Sequence, residues 1–256
     1  MDNRPQHTAQ GIQQEVQVAR RPWYSVLLQT RFLLGLYLLF LLLFGALAFL
    51  VYVHPLLPVD IAITQEFQEN RSPWLRTFMV AVSYMGNALW LFVGLILLAA
   101  AAFWILRFRL EAVVLVGICL TNSLLNILVK LLVARPRPAQ PLVTVLQYAS
   151  GKSFPSGHVM SYVAFWGTLF TFSFILFHGK RWWRVALWLV SGLFVILVGP
   201  SRIYLGDHWA SDVLGAYLLG GLWLWTCLWM YIKLKEHHIL ATPVRVPIKD
   251  KVIKDS

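Results

Sequence analysis

The sequence predicts an all-α protein, a six-transmembrane-helix bundle with an interfacial helical segment between helices 1 and 2. Hydrophobic residues make up 59% of the 256 residues and charged residues only 13%, and the mean hydropathy is +0.66. A water-soluble protein of this size needs far more charged surface. Six apolar runs are also long enough, at about 1.5 Å per helical residue, to cross a hydrocarbon layer about 30 Å thick.

The apolar runs determine the expected domain organisation. We place the spans near 32–53, 88–106, 111–133, 157–178, 184–203 and 209–233. Residues 32–233 then form one domain, and the flanking residues 1–31 and 234–256 form tails that lie outside the spans. The first apolar run contains Ala46-Leu47-Ala48, which is similar to a signal-peptidase site. The run continues past it to Val53, which favours a retained anchor over a cleaved signal peptide.

The connection between the first two spans, residues 54–87, is too long for a simple turn. Within it, apolar residues recur every four positions opposite a polar face, as in an amphipathic helix. The apolar positions are Val59, Ile63 and Phe67, and the polar positions are Glu66, Gln68 and Glu69. We expect this helix to lie along the outer membrane interface with Trp74 as an anchor, as a connector rather than a lid.

The distribution of Lys and Arg predicts the orientation. Cations concentrate in both tails and in the turns between spans 2 and 3 and between spans 4 and 5, which share one side. The positive-inside rule assigns that side to the cytoplasm. We therefore expect a multi-pass protein of the cytoplasmic (inner) membrane with both termini in the cytoplasm. Because topology accounts for the formal net charge of +11, we expect no nucleic-acid partner.

Three short polar motifs interrupt the apolar chain, and the third contains a histidine and a carboxylate. His208 and Asp212 lie four residues apart at the start of the sixth span, so they share one helix face. A carboxylate beside an imidazole fixes its tautomer and leaves the other ring nitrogen free to attack an electrophile. Taken alone, the pair is more typical of a contact that caps the helix. Asp207 is predicted to be the N-cap residue.

The second motif, Pro155-Ser156-Gly157-His158, precedes a long apolar run and predicts a helix start with Ser156 as N-cap. Free backbone N–H groups and the positive end of the helix form an anion site there, and Gly157 allows close approach. His158 lies in the first turn, where it can protonate a leaving oxygen. Alone, it is also consistent with an interfacial histidine exposed to water.

The first motif begins with Lys130, which ends a span that also carries Asn122 and Asn126 at four-residue spacing. This face must look into the bundle, because a lysine in contact with lipid is costly. The asparagines are expected to form hydrogen bonds between helices rather than to act in catalysis. Arg137 follows in an Arg-Pro-Arg-Pro stretch that favours extended backbone and suits bidentate phosphate contacts.

Three further cations lie on the same side of the membrane. Arg202, at the outer end of the fifth span, is expected to join Lys130 and Arg137 in binding phosphate. Arg135 and Lys152 are expected to be solvated or in contact with lipid headgroups.

The three motifs in this order, Lys-x6-Arg-Pro, Pro-Ser-Gly-His and Ser-Arg-x5-His-x3-Asp, resemble the type 2 phosphatidic acid phosphatase superfamily. Its members include bacterial lipid phosphatases and vanadium haloperoxidases, and the resemblance covers residues from about 59 to 230. It implies that phosphoryl oxygens are bound by Lys130, Arg137, Ser156, Gly157 and Arg202. It also implies that three residues act in catalysis: His208 as nucleophile, Asp212 as its orienting partner and His158 as proton donor.

The function that the resemblance implies is a phosphatase acting on lipid phosphates or diphosphates in the outer leaflet, by way of a phosphohistidine. Positioned cations and N–H groups stabilise the transferring phosphoryl group, so we expect no metal and no cofactor. The candidate substrates are undecaprenyl diphosphate, phosphatidylglycerophosphate and phosphatidate, and the residues select none of them. They leave the oligomeric state open as well.

Two other functions stay open at this point. A lipid phosphotransferase shares the first half of the reaction but passes the phosphoryl group to another acceptor. A membrane transporter with a vestigial phosphate site is disfavoured by the intact motifs and by the lack of interrupted helices in paired halves. Haloperoxidase chemistry is not expected in a six-span bundle.

Overall fold

The computed structural model describes residues 23–176 and 182–236, with side chains at 31–176 and 182–235, and all the regular structure in these ranges is helical. This confirms the predicted all-α fold. Eight helices follow one another in these ranges: α1 (Trp23–Val53), α2 (Pro58–Phe67), α3 (Pro73–Asn87), α4 (Leu89–Ile105), α5 (Arg109–Val133), α6 (Gly157–Ile175), α7 (Trp182–Tyr204) and α8 (Ala210–Glu236).

Five of these helices are long and apolar enough to cross a membrane, namely α1, α5, α6, α7 and α8. Helices α3 and α4 meet the same criterion only together, as a pair bent by 70°, and counting that pair as one span gives six. The predicted span 88–106 is therefore only part of a broken span. The break lies at Ala88, whose φ of −89° and ψ of 87° are not helical.

Helix α6 forms the centre of the bundle. In its most apolar stretch 61% of the residues are buried, whereas the corresponding share for α1 is 6%. Aromatic side chains hold α6 against α7, with the rings of Trp166 and Phe194 stacked at 4.7 Å. Gly167 lets α8 approach, because a Cβ there would lie 2.6 Å from Leu224. The peripheral helices expose leucine and phenylalanine outward, as contact with lipid requires.

The connection 54–87 differs from its prediction. It forms two helices, α2 and α3, and the inward face of α2 is polar, with Asp60 and Thr64 buried. Gln68 is also buried, and its side-chain amide donates to Thr144 O at 2.7 Å. Val59, on the apolar face, is 58% exposed, as expected of a face that contacts the membrane interface. The sequence did not indicate the buried polar face, because Asp60 has a buried cationic partner distant in sequence, described below.

Candidate active site

The structure brings the three motifs together at one end of the bundle. Lys130 lies in the last turn of α5, His158 in the first turn of α6 and Arg202 in the last turn of α7. The loop before α6 carries Arg137, and the loop before α8 carries His208. Lys130, Arg137 and Arg202 all lie close enough to act electrostatically on both His158 and His208. The two imidazoles also act on each other, so they share one site.

The hydrogen bonds of His208 define its tautomer. Arg137 Nη1 lies 3.2 Å from His208 Nε2, and because a guanidinium can only donate, Nε2 must be the acceptor. The ring proton is therefore on Nδ1, which lies 3.3 Å from Ser153 Oγ. The orientation leaves the Nε2 lone pair directed toward the cationic side of the site.

The pKa of His208 favours the neutral ring. Burial, followed by the positive charges of Arg137, Lys130 and Arg202, holds this pKa well below its ordinary value of 6.5. Only 1% of the residue is exposed. His208 therefore stays neutral at pH 7. Its Nε2 lone pair accepts from Arg137 in this structure and can attack an electrophile that displaces this hydrogen bond.

Asp212 contacts His208 less directly than the i, i+4 spacing suggested. Its Oδ2 lies 3.6 Å from His208 Nδ1, too far for a hydrogen bond. Ser153 lies between them and donates a short hydrogen bond to the same carboxylate oxygen. Asp212 Oδ2 also accepts the backbone N–H of Trp209 at 2.9 Å and so caps the start of α8. Asp212 therefore caps α8 and also contacts His208 through Ser153.

The prediction that Asp207 is the N-cap of α8 was wrong. Helix α8 begins at Ala210, and Asp212 satisfies the free N–H at its start. Asp207 is buried and forms an ion pair with Arg202. Burial raises the pKa of Asp207, against the opposing effect of Arg202 and Arg137.

The expectation for Arg135 was also wrong. Only 1% of Arg135 is exposed, and its guanidinium pairs with Asp60 Oδ2 at 2.7 Å and with Asp212 Oδ1 at 2.6 Å. It also donates to Ser211 Oγ at 2.7 Å. Two buried carboxylates require a buried counter-charge, so Arg135 joins α2 to the start of α8. Lys152 is exposed, and its contact with headgroups stays a prediction.

The residues predicted to bind phosphate present two unpaired polar atoms. Ser156 occupies the N-cap position of α6 without a side-chain capping bond. Its Oγ and the Nε of Arg202 are buried and have no hydrogen-bond partner among the residues that the structure describes. Buried polar groups are nearly always paired. An unpaired hydroxyl at a helix N-terminus and an unpaired guanidinium nitrogen in the last turn of α7 are therefore typical of a site that binds an anion.

Two neighbours shape this region. Lys130 Nζ donates to the backbone carbonyls of Lys152 at 2.6 Å and Ser153 at 3.3 Å, which leaves one of its three N–H groups for a ligand. Gly157 begins α6, where an added Cβ would lie 3.3 Å from Asn126 Oδ1. Asn126 donates to Pro155 O at 3.2 Å and to Met160 Sδ in α6 at 3.1 Å, and the second contact confirms its predicted role between helices. The prediction was wrong for Asn122, whose buried side-chain amide has no hydrogen-bond partner among the described residues.

His158 has a partner that the sequence did not indicate. Its Nε2 lies 2.7 Å from Asn87 Oδ1, and the same oxygen lies 3.4 Å from Arg202 Nη1. Asn87 is the last residue of α3, so the bend between α3 and α4 places it beside the histidine. This position of the imidazole also requires glycine at residue 86, because a Cβ on Gly86 would collide with the ring of His158.

Groups of three or more His, Cys, Asp or Glu residues able to hold a metal ion do not occur within residues 23–176 and 182–236. The positive charge in the site comes from Lys130, Arg137 and Arg202. Positioned cations of this kind stabilise the negative charge on a phosphoryl group during transfer.

Comparisons with known proteins agree with this geometry. The model of the PAP2 superfamily matches residues 110–236, which contain all three motifs. Phosphatidylglycerophosphatase B of Bacillus subtilis is 31% identical over 189 residues, which are 73% of this chain and 88% of that protein. YbjG of Escherichia coli, named provisionally as an undecaprenyl-diphosphatase, is 37% identical over 76 residues. These residues are 29% of this chain and 33% of YbjG.

A solved structure shows the same fold. The crystal structure of a transmembrane PAP2-type phosphatidylglycerolphosphate phosphatase from Bacillus subtilis superposes on this chain with a TM-score of 0.66 at 27% identity. The match covers 77% of this chain and 96% of the other. The fold of the bundle and the order of the motifs therefore point to the same family.

Proposed function

Since the chain belongs to the PAP2 superfamily of membrane phosphatases, we propose that it hydrolyses lipid phosphates or diphosphates in the outer leaflet through a phosphohistidine on His208. The observation that carries the proposal is the state of His208: a buried, neutral imidazole with its Nε2 held 3.2 Å from Arg137. A lone pair held among three cations suits attack on a phosphorus atom whose oxygens those cations bind.

In the first half-reaction, His208 Nε2 forms a bond to phosphorus while the bond from phosphorus to the leaving oxygen breaks. The leaving oxygen keeps the electron pair and takes a proton from His158. Lys130, Arg137 and Arg202 bind the phosphoryl oxygens, together with the unpaired Ser156 Oγ and the N–H of Gly157. These donors stabilise the charge spread over the phosphoryl group in the transition state.

In the second half-reaction, water attacks phosphorus and gives a proton to His158. The bond from phosphorus to Nε2 breaks, its electron pair returns to His208, and inorganic phosphate leaves. Three fixed cations supply the charge stabilisation that divalent ions supply in other phosphoryl-transfer enzymes. We therefore propose a reaction that requires neither a metal ion nor a cofactor.

The location of the site supports a substrate in the lipid phase. The site lies at the end of the bundle opposite the cation-rich turn between α4 and α5, which the positive-inside rule places in the cytoplasm. The surrounding helices expose apolar side chains, so a lipid tail can stay in hydrocarbon while its headgroup reaches the cations. The relatives suggest two headgroups, phosphatidylglycerophosphate and undecaprenyl diphosphate, and phosphatidate is the third candidate.

A panel of these three lipids tests the proposal. Protein purified in detergent is expected to release inorganic phosphate from at least one of them, at a rate that excess EDTA leaves unchanged. The rate is measured as free phosphate, and the lipid products are separated to detect transfer to added alcohols. Absence of phosphate from all three lipids, loss of activity in EDTA, or a phosphorylated acceptor as main product would each contradict hydrolysis as proposed.

A further inference from the structure

Ser153 is fixed in the site by its backbone, independently of its hydroxyl. The residue is fully buried in the loop before α6. Its N–H donates to Arg135 O at 2.8 Å, and its carbonyl oxygen accepts a hydrogen bond from Lys130 at 3.3 Å. These bonds fix the backbone, and the hydroxyl lies between the His208 ring and the Asp212 carboxylate.

The hydroxyl can satisfy both neighbours at once. It has one proton to donate and lone pairs to accept, and Asp212 Oδ2 can only accept when ionised. Ser153 Oγ therefore donates to Asp212 and accepts from His208 Nδ1–H, 3.3 Å away. The direct distance from His208 to Asp212 is 3.6 Å, so the carboxylate contacts the ring through the serine.

Arg135 fixes the other end of this connection. It binds Asp212 Oδ1 at 2.6 Å, which leaves Oδ2 for Ser153 and for the backbone N–H of Trp209. Each carboxylate oxygen thus has a separate set of partners. The carboxylate cannot rotate to reach His208 directly without breaking a buried ion pair.

We infer that Ser153 is a positioning residue that links Asp212 to His208, an inference that rests on the proposed function of His208 as nucleophile. When Nε2 bonds to phosphorus the ring becomes cationic and keeps its proton on Nδ1. The hydrogen bond to Ser153 Oγ, polarised by Asp212, stabilises that cation without any proton leaving the ring. The link also holds the ring in the tautomer that attacks.

Replacing Ser153 with alanine tests the link. We expect Ser153→Ala to lower kcat by about 10- to 100-fold, the effect of a hydrogen bond to a charged group, with KM nearly unchanged. The acid limb of the pH profile is expected to move to lower pH, because the cationic ring loses a stabilising partner and protonates less readily. Ser153→Thr keeps the hydroxyl and is expected to restore most of the activity.

The matched control is Ser191→Ala. Ser191 is a buried serine about 16 Å along α7 from Arg202, at 1.5 Å per residue, and its hydroxyl has no partner among the described residues. Its replacement is expected to leave kcat and the pH profile unchanged. A Ser153→Ala protein that fails to give a monodisperse peak in gel filtration would assign Ser153 to folding and overturn the inference.

A double-mutant cycle with Asp212→Asn separates a link in series from two independent contacts. If Asp212 acts through Ser153, the double variant is expected to be no slower than Asp212→Asn alone. The link would be overturned if the kcat losses of the two single variants multiplied in the double variant, or if Ser153→Ala kept the wild-type kcat. In either case, phosphate release by the wild-type protein would still support the proposed function. A wild-type protein inactive on every lipid would overturn both.

Discussion

Replacing His158 with alanine is expected to slow phosphate release from lipids with poor leaving groups by about 10²- to 10⁴-fold, the usual contribution of a general acid. An alkoxide leaves slowly unless it is protonated, and His158 is the imidazole next to Arg202 and His208. A p-nitrophenolate needs no proton in order to leave, so hydrolysis of p-nitrophenyl phosphate is expected to fall far less. Steady-state rates on both substrates measure this selectivity.

Asn87 provides a second test of the same step. Its Oδ1 holds His158 Nε2 at 2.7 Å, so Asn87→Ala is expected to reproduce the selectivity of His158→Ala with a smaller loss. The matched control is Asn70→Ala, which replaces an exposed asparagine in the loop before α3.

Equal losses on the lipid and on p-nitrophenyl phosphate in His158→Ala would show that His158 does not supply the proton.

Replacing Arg135 with methionine is expected to destabilise the protein by about 3–5 kcal/mol, the cost of breaking a buried ion pair by removing one partner. The change leaves Asp60 and Asp212 buried without a counter-charge. We expect a marked drop in the midpoint of thermal unfolding in detergent. The same measurement on Arg76→Met, which removes an exposed arginine from α3, is expected to give no shift beyond that of an ordinary surface substitution.

A second substitution tests the cause of that loss. Asp60→Asn removes one of the two unpaired charges, so adding it to Arg135→Met is expected to recover part of the lost stability. An Arg135→Met protein that unfolds at the wild-type temperature would contradict the account of this ion-pair cluster. So would a double variant less stable than Arg135→Met alone.

The spans were predictable from the sequence, and the break at Ala88 was not. Long apolar runs determine which segments cross the membrane, whatever their neighbours. Residues 73–87, in contrast, extend the second span only because α3 packs against α7 and α6 in the folded bundle. The buried face of α2 was missed for a related reason, since Asp60 is buried by its pairing with Arg135, 75 residues away.

The cations and histidines of the site were predictable from the three motifs. Each motif lies where an apolar run ends, and all three ends are on the same side of the membrane. Their hydrogen-bond partners did not follow. Ser153 and Asn87 are polar residues in a loop and at a helix end, and neither position is distinguished by a pattern in the sequence. The sequence predicted Arg135 to be a surface cation, because the two carboxylates that it pairs with come close only in the folded chain.

The most direct test of the central claim is to trap the covalent intermediate. The lipid substrate that is hydrolysed is labelled on its transferred phosphate, mixed with the protein, quenched in alkali within one turnover, and the label is mapped to a peptide. We predict an alkali-stable, acid-labile phosphohistidine at His208, present in the control His54→Ala and absent from His208→Ala. Label on any other residue, or continued phosphate release by His208→Ala, would contradict the role of His208 as nucleophile.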